Sequence, residues 1–332
     1  MTLEVSRLKA TLALWMPAVL LSLTITAGAE SAEPAASQVA LDRDDQAGRL
    51  RVMIDGREAI VYRFGAEEDL VHYYPVRSPS GKSMTVQHPD PYPHHRSFWF
   101  GDKVHLTGER DVSFYACLYS CADRTNPKPP FRDHVRHVEF LPEKGTPERP
   151  VVRSKLVWEM DTDKPVLDEL RDVRIAALGD GEYFLDVTFT VTASYGEVTF
   201  TSDWVHYAWP YIRMDTPFSV DGGGTITNSE GGVNQAGTNG KEAVWVDYTN
   251  TVEGVTEGLA LFSHPDNDQP HKWLTRDYGC FGPRRIDARS GERFSIKEGE
   301  SLVRRVGVLA HRGDVKGGKV AERFGLYVEG KL

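Results

Sequence analysis

The sequence predicts an all-β fold, a large antiparallel β-sandwich of two sheets with a short C-terminal helix. Three observations predict it. About fourteen segments in succession carry strand patterning. The signals between them are short turn dipeptides rather than helix-length connections. Only one stretch, near the C-terminal end, has a helix-period apolar face. No repeat of about 20 to 50 residues marks a propeller or solenoid, and no P-loop, zincin helix or nucleophile elbow is present.

Residues 1–29 read as a cleaved secretory signal: Arg7 and Lys9 are basic, Ala10 to Leu23 is nearly all apolar, and Ala27, Gly28 and Ala29 supply a small-residue cleavage site. The expected location is therefore outside the cytoplasm, periplasmic or extracellular. Residues 30–45 read as a flexible polar tail that enters the fold near Val39, and 46–332 as a single domain. No later stretch reaches membrane-spanning length. The net charge of −9 disfavours a nucleic-acid partner, which needs a basic surface, and suits a small-molecule or oligosaccharide ligand.

RLRVMI and EAIVYRF flank Asp55-Gly56 and predict a hairpin over 49–64. VSFYACLY (112–119) is apolar on both faces and reads as a buried strand. DHVRHVEFL, VVRSKLVWEM and VLDELRDVRIAAL follow as strands, the last turning at Gly179-Asp180-Gly181. In EYFLDVTFTVTA, Tyr183, Leu185, Val187, Phe189 and Val191 share one face, leaving Asp186, Thr188 and Thr190 on a polar, solvated one. Residues 221–240 are glycine-rich and read as a mobile surface loop or lid. Strands resume at AVWVDYT, GLALFSHP, RDYGCFG, RFSIKEG and SLVRRVGVLAH. DVKGGKVAERFGLYVEG is the helix, with Asp314 as its cap and Val320, Phe324 and Leu326 to Val328 as its apolar face. Cys117, Cys121 and Cys280 are read as small buried hydrophobes, since residues four apart on an extended strand cannot bridge.

The stretch QHPDPYPHHRSFWF (87–100) concentrates candidate chemistry. Its three prolines predict an extended, polyproline-like loop that presents side chains rather than burying them. Phe98, Trp99 and Phe100 anchor it and hold His94, His95 and Arg96 over a pocket. Neutral imidazole can donate or accept a proton or bind a metal, and His88, His94, His95 and His105 together offer nitrogen for copper or zinc. Asp247 lies in an apolar strand and needs a partner, for which Arg96, Arg213 and Arg276 are candidates. His264, Trp273, Arg276, Asp277 and Tyr278 combine flat apolar faces with fixed polar groups suited to a polyol. Trp204, His206 and Trp209 read as strand core.

PHHRSFWFGD (93–102), NSEG (228–231), WVDY (245–248), SHPDN (263–267) and W-x2-RDYG-x-F (273–281) together resemble the PmoA-like family of secreted proteins, labelled methane oxygenase PmoA, from about Leu70 to His311. FSVDGGGTIT departs from the longer charged Gly-rich stretch of that family. The resemblance implies a supersandwich-like architecture related to mutarotase-like and carbohydrate-processing proteins, and its label implies a copper-dependent oxidase as an alternative. A membrane-embedded oxygenase needs spanning helices that this chain lacks beyond its signal.

The expectation is a carbohydrate-active enzyme working on a saccharide by His/Asp acid–base chemistry, in hydrolysis, elimination or epimerisation. His94 or His95 is the acid or base, with Asp247 or His264 as its counterpart. Arg96, Trp99, Trp273, Arg276, Asp277 and Tyr278 hold the substrate. No resident cofactor is expected; copper or zinc belongs to the oxidase alternative, and a non-catalytic carbohydrate-binding protein is the other.

Overall fold

The computed structural model describes residues 37–117, 128–142, 145–201, 208–267, 271–284 and 294–332. Residues 1–29, read above as a signal, and Cys121, Trp204 and His206 lie outside them. Twenty strands occur among these residues, and every strand pairing is antiparallel. The fold is thus all-β and sandwich-like, as the alternating pattern predicts.

The first sheet runs, in spatial order, Val39–Asp44 (β1), Arg49–Ile54 (β2), Arg57–Arg63 (β3), His72–Val76 (β4), Phe98–Trp99 (β5), Tyr211–Arg213 (β13), Cys280–Pro283 (β18) and Trp273–Thr275 (β17). The second runs Thr225–Asn228 (β14), Trp245–Val252 (β15), Val255–Ser263 (β16), Ser301–Arg312 (β20), Glu182–Thr192 (β11), Lys164–Gly179 (β10), Val151–Met160 (β9) and His134–Leu141 (β8). A third, smaller sheet adds to the expected two. It orders Phe294–Ile296 (β19), Val198–Phe200 (β12), Lys103–Leu106 (β6) and Asp111–Ser113 (β7).

Local sequence explains the hairpins. Asp55 and Gly56 both take left-handed backbone, with φ of 52° and 75°, the turn that matches the twist of β2 and β3. Gly179, Asp180 and Gly181 likewise have positive φ and join β10 to β11.

One apolar core joins all three sheets: Val52, Ile60 and Phe98 from the first, Trp158, Ile175 and Val187 from the second, and Val104 and Val198 from the third. A smaller core lies on the other face of the second sheet. There Phe184, Phe262 and Leu309 pack against Val320 and Tyr327 of the helix Val320–Val328 (α2).

Five expectations need correction. The segment 30–45 is not wholly a tail, because β1 already pairs with β2, entering at Val39. VSFYACLY holds strand only to Ser113 and then turns. The second face of β11 is not simply solvated: Phe184 lies under α2, and the buried Asp186 accepts from Arg305 Nε and Nη2 at 2.9 and 2.8 Å. The glycine-rich segment contains β14 and a short helix, Asn234–Thr238 (α1). Asp314 caps the turn ahead of α2, accepting from the amides of Lys316 and Gly317, while Lys319 stands at the helix N-cap.

The inner face of β10 carries a polar pair that the alternation does not foretell. Glu169 and Arg171 are both buried, with Leu170 between them facing out. Arg171 Nε donates to Glu169 Oε1 at 2.8 Å, Trp158 Nε1 donates to Glu169 Oε2 at 2.8 Å, and the guanidinium lies 5.0 Å from the Phe189 ring centre. Removing one partner strands a buried charge. Glu169→Ala is expected to lower unfolding free energy by about 3–5 kcal/mol, read from urea denaturation.

Candidate functional site around His94 and His95

Three antiparallel strands inside the first sheet bring distant sequence together at one end of those strands. Ile212 pairs with Phe98 on one side and Phe281 on the other, and Arg213 pairs with Cys280. The start of β5, the end of β13 and the start of β18 therefore coincide, and with them the 92–96 loop, Arg213 and Tyr278. Arg213 N donates to Ser97 O at 2.7 Å, and Met214 N to Gly279 O at 2.9 Å. Gly279 has φ of 104°, and a Cβ there would sit 2.9 Å from Arg213 Nη1, so only glycine lets the guanidinium lie against this backbone.

The proline loop is not extended. Tyr92 N donates to Pro89 O at 2.7 Å, His95 N to Tyr92 O at 2.9 Å, and His88 N to His95 O at 2.8 Å, closing two consecutive turns. The Asp90–Pro91 peptide is cis. Nor does the loop only display its side chains, since His95 and Arg96 are buried and His94 half-buried. Arg96 binds the buried Asp69 through Nη2 and donates from Nη1 to His94 O at 2.8 Å. Its charge is spent on holding the loop, so the substrate-gripping role expected of it is replaced by an anchoring one.

Aromatic rings surround the two imidazoles. Tyr92 stacks on His95 at 4.9 Å and on Tyr278 at 5.2 Å between ring centres. His94 meets His95 edge-on at 4.5 Å and Tyr115 at 5.2 Å. His95 Nε2 and the Tyr115 hydroxyl are 3.1 Å apart. Trp99 stacks on Tyr211 at 4.8 Å, and the Arg213 guanidinium lies 4.8 Å from the Tyr278 ring centre.

Burial, then the positive charge of Arg96, pushes His94 down to about 4. Burial, then His94, Arg213 and Arg96, pushes His95 down to about 2. Both imidazoles are neutral near pH 7. Burial also holds the Tyr278 phenol protonated well above its ordinary value. Buried His95 Nδ1, Trp99 Nε1 and Arg213 Nε have no hydrogen-bond partner among the described residues, and each such group calls for an explanation.

The remaining expected site residues lie elsewhere. Asp247 Oδ1 is bonded to His311 Nε2 at 2.8 Å and Oδ2 accepts from Thr249 Oγ1 at 2.5 Å, so none of Arg96, Arg213 or Arg276 is its partner. Its neighbour Tyr248 points to the opposite face and donates to Arg276 O at 2.9 Å. His264 packs edge-on against Tyr327 of α2 at 5.1 Å, beside Asp266. Neither acid–base counterpart reaches His94 or His95.

Trp273 is core, donating from Nε1 to Ala243 O at 2.8 Å, rather than lining a pocket. Arg276 donates to Asn239 Oδ1 at 2.8 Å, and Asp277 Oδ1 accepts from Gln235 N at 2.9 Å, tying the segment before Tyr278 to α1. Trp209 is core as expected and donates from Nε1 to Asp102 Oδ2 at 2.8 Å. Cys117 and Cys280 are buried, as expected.

The four histidines do not form a ligand set. His88 Nδ1 is 2.8 Å from Pro93 O, and His105, on the third sheet, is 3.0 Å from Asp111 Oδ1. Among the described residues, no three His, Cys, Asp or Glu side chains gather as a metal ion requires. Sequence reasoning missed Tyr92, Tyr115 and Tyr211 as site residues and took Arg213 only as a partner for Asp247. The tyrosine next to the double histidine was the available signal.

A family model described as "Family of unknown function (DUF6807)" matches residues 49–325. The chain belongs to that family. The description names no activity, and among curated proteins no sequence matches. Similar solved structures include the GH36 alpha-galactosidase AgaA from Geobacillus stearothermophilus (TM-score 0.45, 9% identity, 85% of this chain and 42% of that one). A polysaccharide lyase has TM-score 0.39 and 12% identity over 86% of this chain and 34% of that one. A GalM/aldose epimerase homologue from C. elegans has TM-score 0.33 and 8% identity over 84% of this chain and all of that one. The DUF6807 chain spans less than half the length of the first two, and likeness at this level carries no argument about activity.

Two pH responses of opposite sign follow. Both site imidazoles have folded values below the ordinary ~6.5, so the stability tied to them is present above that pH and drains away as pH falls toward about 4. The double variant His94→Gln/His95→Gln is expected to flatten that acid limb in denaturation midpoints measured from pH 7 to 4. For His311, burial alone would lower the value, but the Asp247 carboxylate outweighs it and the net shift is upward. Its contribution is present below about 6.5 and lost as pH rises through the raised value. The stability deficit of Asp247→Asn is therefore expected to be largest in acid and to shrink above neutrality.

Proposed function

We propose that the cluster of His94, His95, Tyr92, Tyr278 and Arg213 is a saccharide site that performs proton transfer on a bound sugar. The observation that carries this reading is the gathering of neutral imidazole, protonated phenol and guanidinium at one end of the strands β5, β13 and β18, beside buried His95 Nδ1, Trp99 Nε1 and Arg213 Nε that have no partner among the described residues. Half-buried tyrosine faces suit the apolar face of a pyranose, and fixed donors beside them suit its hydroxyls.

The protonation states assign the roles. His94 is unprotonated at neutral pH and half-buried, which fits a base and not an acid. Tyr278 keeps its proton and makes no hydrogen bond within the described residues, which fits a donor. His95, buried and 3.1 Å from the Tyr115 hydroxyl, orients the pair as a neutral ring. A base and a phenol acting between neutral forms match elimination or epimerisation better than hydrolysis, which ordinarily pairs two carboxylates. The exported location expected from residues 1–29 is part of the same proposal.

Screening purified protein against oligosaccharides with mass and stereochemical detection tests the proposal. Turnover of one saccharide class is expected, with His94→Ala and Tyr278→Phe each lowering kcat by about 10²–10⁴-fold while the fold, read by circular dichroism, is retained. Full turnover in both variants would remove the assignment, and saturable binding without product would reduce the site to a binding module.

A further inference from the structure

We infer that the ligand of this site carries a carboxylate, as a uronic-acid unit does, and that Arg213 binds it. The inference rests on the saccharide reading above and adds the charge of the substrate.

Arg213 is a buried guanidinium in an acidic protein, yet among the described residues it has no carboxylate partner. Its side-chain interactions are one donation from Nη1 to the Met214 carbonyl at 3.1 Å and its position over the Tyr278 ring. Among the described residues Nε is enclosed without an acceptor, and Nη2 makes no hydrogen bond and is not enclosed. A guanidinium keeps its charge throughout the ordinary pH range and offers a planar fork to a carboxylate. Burying such a charge unpaired is costly. Two other buried arginines show the usual solution: Arg96 has Asp69, and Arg171 has Glu169.

The surroundings repeat the preference. Among the described residues, the charged groups that lower His95 are Arg213 and Arg96, together with the His94 imidazole. Asp69 is taken up by Arg96. With both imidazoles neutral, Arg213 leaves the site locally positive while the whole chain carries −9. The hydroxyls of Tyr92 and Tyr278, which make no hydrogen bond within the described residues, flank this charge and suit the ring hydroxyls of the same ligand. A carboxylate on Nη2 would complete the fork that the backbone of Met214 half fills. Position limits the alternatives: the guanidinium lies against Gly279 and over the Tyr278 ring, so an anion bound to it sits beside the stacked tyrosines.

The test uses calorimetric titration of the intact protein with methyl glycosides of glucuronic, galacturonic and mannuronic acids, their methyl esters, the matching neutral hexosides, and sodium acetate. At least one acid is expected to bind about tenfold or more tightly than its ester and its neutral counterpart, the increment of one charge-assisted pair. Arg213→Gln is expected to abolish that difference, bringing acid, ester and neutral sugar to one affinity. Equal binding of acid, ester and neutral sugar overturns the carboxylate inference while the saccharide reading stands. Acetate binding as tightly as the best uronate supports an anion site at Arg213 and overturns the saccharide reading. Binding of none overturns both. The acid–ester comparison on unaltered protein decides the matter even where Arg213→Gln does not fold.

Discussion

The Arg96–Asp69 ion pair is the constraint on which the candidate site depends. Both groups are buried, and a buried pair repays its desolvation only when further hydrogen bonds complete it. Arg96 completes it by donating to the carbonyl of His94. The same guanidinium thus ties the proline loop to the segment before β4 and fixes the peptide from which the two imidazoles project. Its positive charge is also a cause of the lowered His94 and His95 values. Anchoring and tuning are one act: a loop held by a cation holds neutral rings.

Strand pairing then decides what those rings meet. β5 and β13 are two and three residues long, too short to be stable alone, and they persist because each is flanked on both sides within the first sheet. That pairing sets Arg213 and Tyr278 beside the loop, although 117 and 182 residues separate them from Arg96 in sequence. The stacked Tyr92, His95 and Tyr278 rings seal the arrangement. Buried His95 Nδ1, Trp99 Nε1 and Arg213 Nε, which have no hydrogen-bond partner among the described residues, lie along this seam.

Much of the scaffold was legible because period-two patterning and turn chemistry are local. The hairpins at Asp55-Gly56 and Gly179-Asp180-Gly181 and the terminal helix all follow from neighbouring residues. Facing was less legible. Leu170 points outward while Glu169 and Arg171 point in, the reverse of what polarity suggests, because a buried network satisfies the charges. Asp247 and His264 were assigned to the wrong face, since nothing in their own strands shows that the second sheet is covered on both sides. In the proline loop, ring constraint was read as extension, whereas hydrogen bonds from Tyr92 and His95 fold it into turns. The pairing of His94 and His95 with Tyr278 was anticipated; Asp247 as their companion was not sustained, and Arg213 stands there instead.

The placement of β20 has a consequence for how the chain assembles. It lies in the middle of the second sheet, hydrogen-bonded to β16 on one side and β11 on the other, yet it is the last strand in sequence. Until it inserts, β14, β15 and β16 have no link to β8 through β11 within that sheet. Closure waits on contacts of very large sequence separation, which slow folding through the entropy of loop closure. During that interval the facing edges of β11 and β16 stay open to pairing with foreign strands, so a chaperone that masks a sheet edge would act here to most effect.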